Sequence, residues 1–371
     1  MQLTLRTVKH VLLGGLGAAF FVATASGQSA GQAPSEANHF IETPKGWVQP
    51  KTPWGEPDIQ GTWPISFVGS VPLERCRGGR GRGGAPPPPC DPHKAFLTEA
   101  EYQTRLDAAA AAAKQGDRHA QALAKGDFGE ALQSGVTDPT FPQRQTSLII
   151  DPPDGRLPEM TPEGKRLSAL MKSSWSLSQD EKQVWDHWED FDSWDRCITR
   201  GMPSSMMPYR YNNGVRIMQT PGYVVLDMEM VHEVRIIPVD GRPRLSSAFK
   251  HWMGESRGRW EGNTLIIETT NYKSGPSATN IGVAGSPAGN RFPVSEQMKT
   301  TERITRLNND FLLYEIKTED PVILTRPWTA RYPLKLDPTY EWWEYGCHEG
   351  NRTIGDYINA SRAERAAQPA R

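Results

Sequence analysis

GYVVLDMEMVHEVRIIPVDG, residues 222–241, is the longest β-type run in this 371-residue chain. Tyr, Val and Ile crowd its ends, as a pleated, half-buried strand favours. Read with a period of two, Leu226, Met228, Met230, His232, Val234 and Ile236 share one face. Asp227, Glu229, Glu233 and Arg235 share the other. The stretch therefore reads as one central strand of a curved sheet, oily on one side with a single imidazole and charged on the other. Residues 215–220 and a hairpin over 252–272 are expected to flank it. The charged face is expected to line the mouth of a cavity, with a bulge near Val231 bringing His232 to the rim.

Outward from this stretch the β pattern repeats. Glu261-Gly262-Asn263 turns one hairpin and Asn308-Asn309-Asp310 turns a second, over 300–318. Residues 328–334 and 340–347 read as the last strands, and 353–367 as a terminal helix packed on the sheet through Ile354, Tyr357 and Ile358. Residues 273–294 form a Gly/Ser/Asn/Pro loop. Upstream, Gly61-Thr62-Trp63 opens a first strand and residues 146–150 form another, stopped by Pro152-Pro153. Thr98 with Glu101 is a capping-box signature for a helix running to about Gly116, and Thr161-Pro162 opens a further helix. The fold class that follows is α+β, mainly antiparallel β. Its eight to ten strands form an up-and-down barrel or a strongly curved sheet. A helical insertion over about 97–200 follows the first strand, and a helix closes the C-terminus.

The N-terminus reads as a targeting segment. Arg6 and Lys9 precede the apolar run VLLGGLGAAFFVAT, residues 11–24, and Ala23-Thr24-Ala25 fits a cleavage site. That run is too short for a stable membrane span. The expected organisation is a signal peptide over 1–25, a flexible segment over 26–55 and a single β-rich domain over 56–371. The mature protein would be periplasmic or secreted. Lys+Arg is 42 and Asp+Glu is 43, so no basic surplus exists to hold nucleic acid. The Arg/Gly/Pro stretch 74–92 reads as a loop for the same reason.

Export makes disulfides the expectation for Cys76, Cys90, Cys197 and Cys347. Of three pairings, Cys76–Cys90 closes a short local loop, worth roughly 3 kcal/mol in the loop-entropy model. Cys197 and Cys347 then pair by elimination or remain buried thiols. The spacings match no zinc site. Residues 185–201, WDHWEDFDSWDRCITRG, lack the turn glycine of a calcium loop. They read as an amphipathic segment with Trp185, Trp188 and Trp194 inward, and no metal or other cofactor is implied.

Several segments together resemble a family of uncharacterised exported bacterial proteins. They are PDIQGTW (57–63), VPLER (71–75), RQTSLIIDPPDGR (144–156), RCITRGMP (196–203), residues 211–243, GRWEGNTLIIETTNY within 254–272, residues 319–333, and YGCHEGN (345–351). The resemblance implies export and a shared fold, and brings no activity. The Gly/Pro insert at 77–89 departs from the pattern. Gly61-Thr62-Trp63 is also similar to the G-x-W opening of lipocalin barrels, a likeness of architecture alone.

Candidate functional residues sit on strands and strand ends. His232 and His348, with Glu229, are the candidates for acid–base chemistry. Asp227, Glu233, Arg235, Arg257, Arg259, Trp260, Glu349 and Asn351 are candidates for holding a ligand. No nucleophile elbow, metalloprotease helix, phosphate loop or dinucleotide fingerprint occurs. The first expectation is a periplasmic protein that binds a small organic molecule (a carbohydrate, uronate, aromatic or lipid-like compound) in its cavity. A hydrolase or lyase with a His/carboxylate/Arg site is the alternative, and a structural envelope protein the third. Convergence of both histidines with a carboxylate would favour the enzyme.

Overall fold

The computed structural model describes residues 41–76, 90–114, 118–127, 141–172, 174, 183–275 and 292–367. The expected signal peptide, the Gly/Pro insert and most of the 273–294 loop lie outside the described residues.

The strands are antiparallel and fall into two sheets. The smaller contains β1 (Gly61–Thr62), β3 (Val215–Thr220), β4 (Tyr223–Met228) and β5 (Glu233–Pro238), in the order β1-β3-β4-β5. The larger contains β2 (Ile149–Asp151), β6 (Glu255–Glu261), β7 (Thr264–Thr270), β8 (Lys299–Arg306), β9 (Phe311–Glu319) and β10 (Trp328–Lys335), in the order β2-β10-β9-β8-β7-β6. Both expected hairpins form, with Glu261 paired to Thr264 in one and Arg306 to Leu312 in the other. The inner faces share one core, from Val224, Leu226 and Ile237 to Leu265, Ile304, Tyr314 and Tyr332. Among the described residues no barrel closes. β5 lies against β6, where a Cβ on Gly258 would stand 2.7 Å from Val239. Glycine is required there for the close approach.

The helices are α1 (Glu99–Lys114), α2 (Arg118–Ala124), α3 (Pro162–Leu170) and α4 (Thr353–Ala366). Thr98 and Glu101 form the capping box, with the Thr98 amide donating to Glu101 Oε2 at 2.9 Å. Thr161 caps α3 by accepting from the Gly164 amide at 2.9 Å. α4 was expected on a sheet. Its contacts run instead to the aromatic segment before Cys197. Tyr357 meets Trp185 and Phe191 edge-on, and the Ser361 hydroxyl accepts from the Trp185 amide.

The stretch 222–241 is two strands, not one. Met228 pairs with Glu233, so residues 229–232 are a hairpin turn. Val231 (φ 57°) and His232 (φ 44°) are left-handed there. Met228, Glu229, Met230 and Val231 are consecutively buried, and from the turn the Glu229 carboxylate reaches the Gly214 and Trp343 amides. The turn also reverses the phase. Val224, Leu226 and Met228 face the core on β4, whereas Arg235 and Ile237 do so on β5. Val234 and Ile236, expected on the oily face, are 50% and 64% exposed.

Arg235 therefore points into the core. Its guanidinium meets Glu302 of β8 end-on, with Nη1 donating to Oε1 at 2.9 Å, and their side chains are 3% and 0% exposed. Nη2 also donates to the hydroxyls of Ser256 (3.1 Å) and Thr269 (3.3 Å), while Tyr314 donates to Glu302 at 2.7 Å. Burial alone would lower the Arg235 pKa, but the Glu302 charge more than offsets it and holds the guanidinium above its usual value. Removing one partner of such a pair strands the other charge in the core. Arg235→Met should therefore cost about 3–5 kcal/mol in chemical denaturation, and Arg235→Met with Glu302→Leu should regain most of that loss.

Candidate functional site

Two disulfides form, Cys76–Cys90 and Cys197–Cys347, with Cα separations of 5.3 and 5.7 Å. The second joins residues 150 apart in sequence and brings YGCHEGN against WDRCITRG. Asn351 reinforces the junction, donating to the Asp195 carbonyl at 3.0 Å and to Cys197 Sγ at 3.3 Å.

Residues 340–347 were expected to be a strand. They form no ladder, because their anchor is a side chain. The Glu229 carboxylate, 1% exposed, accepts from the Trp343 amide (2.7 Å) and Asn212 Nδ2 (3.0 Å) at one oxygen. At the other it accepts from Tyr340 Oη (2.6 Å) and the Gly214 amide (3.0 Å). Four neutral donors satisfy the buried carboxylate, and among the described residues no cation bonds to it. Gly214 permits the approach, since a Cβ there would lie 2.9 Å from Glu229 Oε2 and 2.8 Å from the Tyr340 ring.

Together the disulfide and this anchor enclose a cleft of about 590 Å3, open to solvent. Trp194, Tyr211, Tyr345 and Tyr357 supply aromatic surface; Asp195, Glu344 and Glu349 supply carboxylates; Asn212, Asn351 and Thr353 add neutral polar groups. No Lys, Arg or His is among the described lining residues. The aromatic wall is built on itself. Trp194 Nε1 donates to Tyr345 Oη at 3.0 Å, and Trp194 and Tyr211 each meet Tyr209 edge-on. Arg200 lies behind it, its guanidinium 5.1 Å from the Trp194 ring and 5.3 Å from that of Tyr209. Burial brings the Arg200 pKa down to about 10, and burial raises the Tyr211 and Tyr345 phenols.

Of the residues singled out from sequence, Glu349 and Asn351 line this cleft. His232 and His348 are exposed beside it, with ring centroids 6.1 Å apart. Among the described residues no carboxylate hydrogen-bonds to either imidazole, and Glu229 is occupied below. Glu233, Arg235 and Arg257 line a second cleft of about 450 Å3, with His251, Trp252 and Glu255. Arg235 is committed to Glu302, and Arg257 pairs with Glu255. Asp227 lies 3.9 Å from Arg216 on the first sheet. Arg259 is exposed and bridges Glu261 and Glu268. Trp260 packs against the core. The set expected to share one mouth is thus divided between two clefts, the surface and the core. Trp194, Asp195, Tyr211, Asn212, Glu344, Tyr345 and Tyr357 escaped the sequence reading. The pairing of Cys197 with Cys347 is the signal that points to most of them.

Two of the acids of residues 185–201 serve local structure. Asp190 accepts from the amides of Asp186 and His187, and Asp192 from those of Trp194 and Asp195. Trp188, expected inward, is 47% exposed, with Arg196 over its ring.

Two outcomes follow. Glu229→Gln replaces an acceptor oxygen with a donor among donors. It should cost about 1–3 kcal/mol, and hydrogen exchange at the Gly214 and Trp343 amides should accelerate. In the second cleft, burial raises the Glu233 pKa, with the Thr199 hydroxyl and the Arg235 and His232 charges opposing it. A raised acid favours the folded state at low pH, and that contribution is lost as pH rises through the folded value. Glu233→Gln should therefore raise the melting temperature at pH 7 and not at pH 4.

Searches against protein-family models, curated proteins and solved structures give no match for this chain.

Proposed function

We propose that this is an exported binding protein whose first cleft takes a neutral or amine-bearing polyhydroxylated small molecule, a carbohydrate in the first place. The lining carries the reading. Three carboxylates line the cleft, with no Lys, Arg or His among the described lining residues. Asp195 already accepts from the Ser174 amide at 2.9 Å. The exposed Glu344 and Glu349 repel anions and accept hydrogen bonds from hydroxyl or ammonium groups. The half-buried Tyr211, Tyr345 and Tyr357 offer the flat apolar surface that the faces of a sugar ring need, with the buried Trp194 behind them. The size suits a small ligand, within the usual range of roughly 300–1,000 Å3. Within the classes expected from sequence, this composition favours carbohydrates and disfavours uronates. Export is supported by the basic and apolar N-terminus and by two disulfides. Among the described residues no helix is long and apolar enough to cross a membrane.

Melting curves of the protein against neutral oligosaccharides, amino sugars and uronates test the reading. A bound ligand at a hundred times its Kd stabilises by about 2.7 kcal/mol. Neutral or amino sugars should raise the melting temperature, uronates should not, and Glu349→Gln and Tyr211→Ala should each diminish the effect. Stabilisation by uronates alone, or a shift untouched by both substitutions, would remove this assignment.

A further inference from the structure

Two imidazoles meet at the rim of the first cleft, and the ligand reading uses neither. His232 and His348 come from distant parts of the chain. The turn after β4 carries the first, and the Cys197–Cys347 disulfide holds the residue before the second. Their ring centroids are 6.1 Å apart, with the rings inclined at 40°. Both side chains are exposed.

The backbone beneath His232 is constrained. Val231 and His232 are consecutive left-handed residues, and for a β-branched valine that conformation is an outlier. Strain of this kind concentrates at functional sites. It places the His232 ring so that Nδ1 stands 3.4 Å from the Tyr345 carbonyl. A carbonyl can only accept, so in the tautomer that makes this hydrogen bond Nδ1 carries the hydrogen and Nε2 keeps its lone pair. A histidine that donates one ring N–H to a backbone carbonyl and keeps the other nitrogen free is oriented as metal-ligating histidines are.

The separation fits as well. With metal–nitrogen bonds of about 2.0–2.1 Å, two imidazoles on one ion have centroids roughly 5–6 Å apart. The observed 6.1 Å is a small side-chain movement away. We propose that His232 and His348 together bind one divalent transition-metal ion of the kind imidazole prefers, Zn2+ or Cu2+, with water completing its shell. Among the described residues no three His, Cys, Asp or Glu side chains gather as a metal site. The pair is thus an open, two-ligand site, weaker than the four-ligand sites of structural zinc.

Calorimetric titration of the tag-free protein with Zn2+, and separately with Cu2+, tests this. His232→Asn is the informative variant, because asparagine tolerates the left-handed backbone. His348→Ala is its partner. His187→Ala is the control, an exposed histidine 3.7 Å from a lone carboxylate, that of Glu189. Melting curves in chelator establish that each variant folds. The expected result is one saturable site in the parent and in His187→Ala, lost in both other variants. Electron paramagnetic resonance of the Cu2+ form should show hyperfine coupling to two nitrogens. Absence of saturable binding overturns the proposal. So does binding unchanged in His232→Asn and His348→Ala, or coupling to a single nitrogen.

Discussion

A buried arginine and a buried glutamate set the geometry of this protein. Arg235 leaves the smaller sheet and meets Glu302 on the larger one, with neither side chain appreciably in contact with water. Two charges in such a place are tolerated when each finds the other and hydrogen bonds meet most of their remaining capacity, although Arg235 Nε has no acceptor among the described residues. Glu302 has the Tyr314 hydroxyl, and Arg235 has those of Ser256 and Thr269. The guanidinium thus bonds to β6, β7 and β8 of the larger sheet from its place on β5, and β9 joins through the Tyr314 bond to Glu302. The price of that placement is the phase of β5, which must put Arg235 inward and Val234 and Ile236 outward.

The turn over 229–232 achieves the change of phase, and the first cleft grows out of the same turn. Glu229, at its start, gathers four donors from two segments of chain. One segment belongs to the residues before β3. The other has no strand partner and would otherwise lack a reason to lie where it does. Once 340–343 is held there, Cys347 reaches Cys197 and the aromatic wall of Trp194, Tyr211 and Tyr345 assembles beside three carboxylates. Burial separates the anchoring carboxylate from those of the cleft. Glu229 is enclosed and saturated with donors, whereas Glu344 and Glu349 stay exposed.

Local patterns were legible where local forces decide. Glu261-Gly262-Asn263 and Asn308-Asn309-Asp310 turn the two hairpins, and Thr98 and Thr161 cap the helices they precede. The short span between Cys76 and Cys90 identified its own disulfide. The run 222–241 misled because charge was read as exposure. Glu229 and Arg235 are charged and buried, and a period-two reading cannot represent a phase change inside a run. Residues 340–347 misled in the opposite way. Their aromatic composition suits a strand, yet a side-chain carboxylate holds their backbone.

The sequence by itself determined the α+β class, the antiparallel hairpins, the helix starts and the oxidised cysteines, because each depends on residues near one another in the chain. Only the tertiary structure decided that there are two sheets instead of a closed barrel, and that Arg235 serves the core while Glu349 and Asn351 line a cleft. Those outcomes depend on which donors, charges and sulfur atoms meet across as many as 150 residues. Desolvation decides them, since a buried charge is stable only where distant partners converge on it.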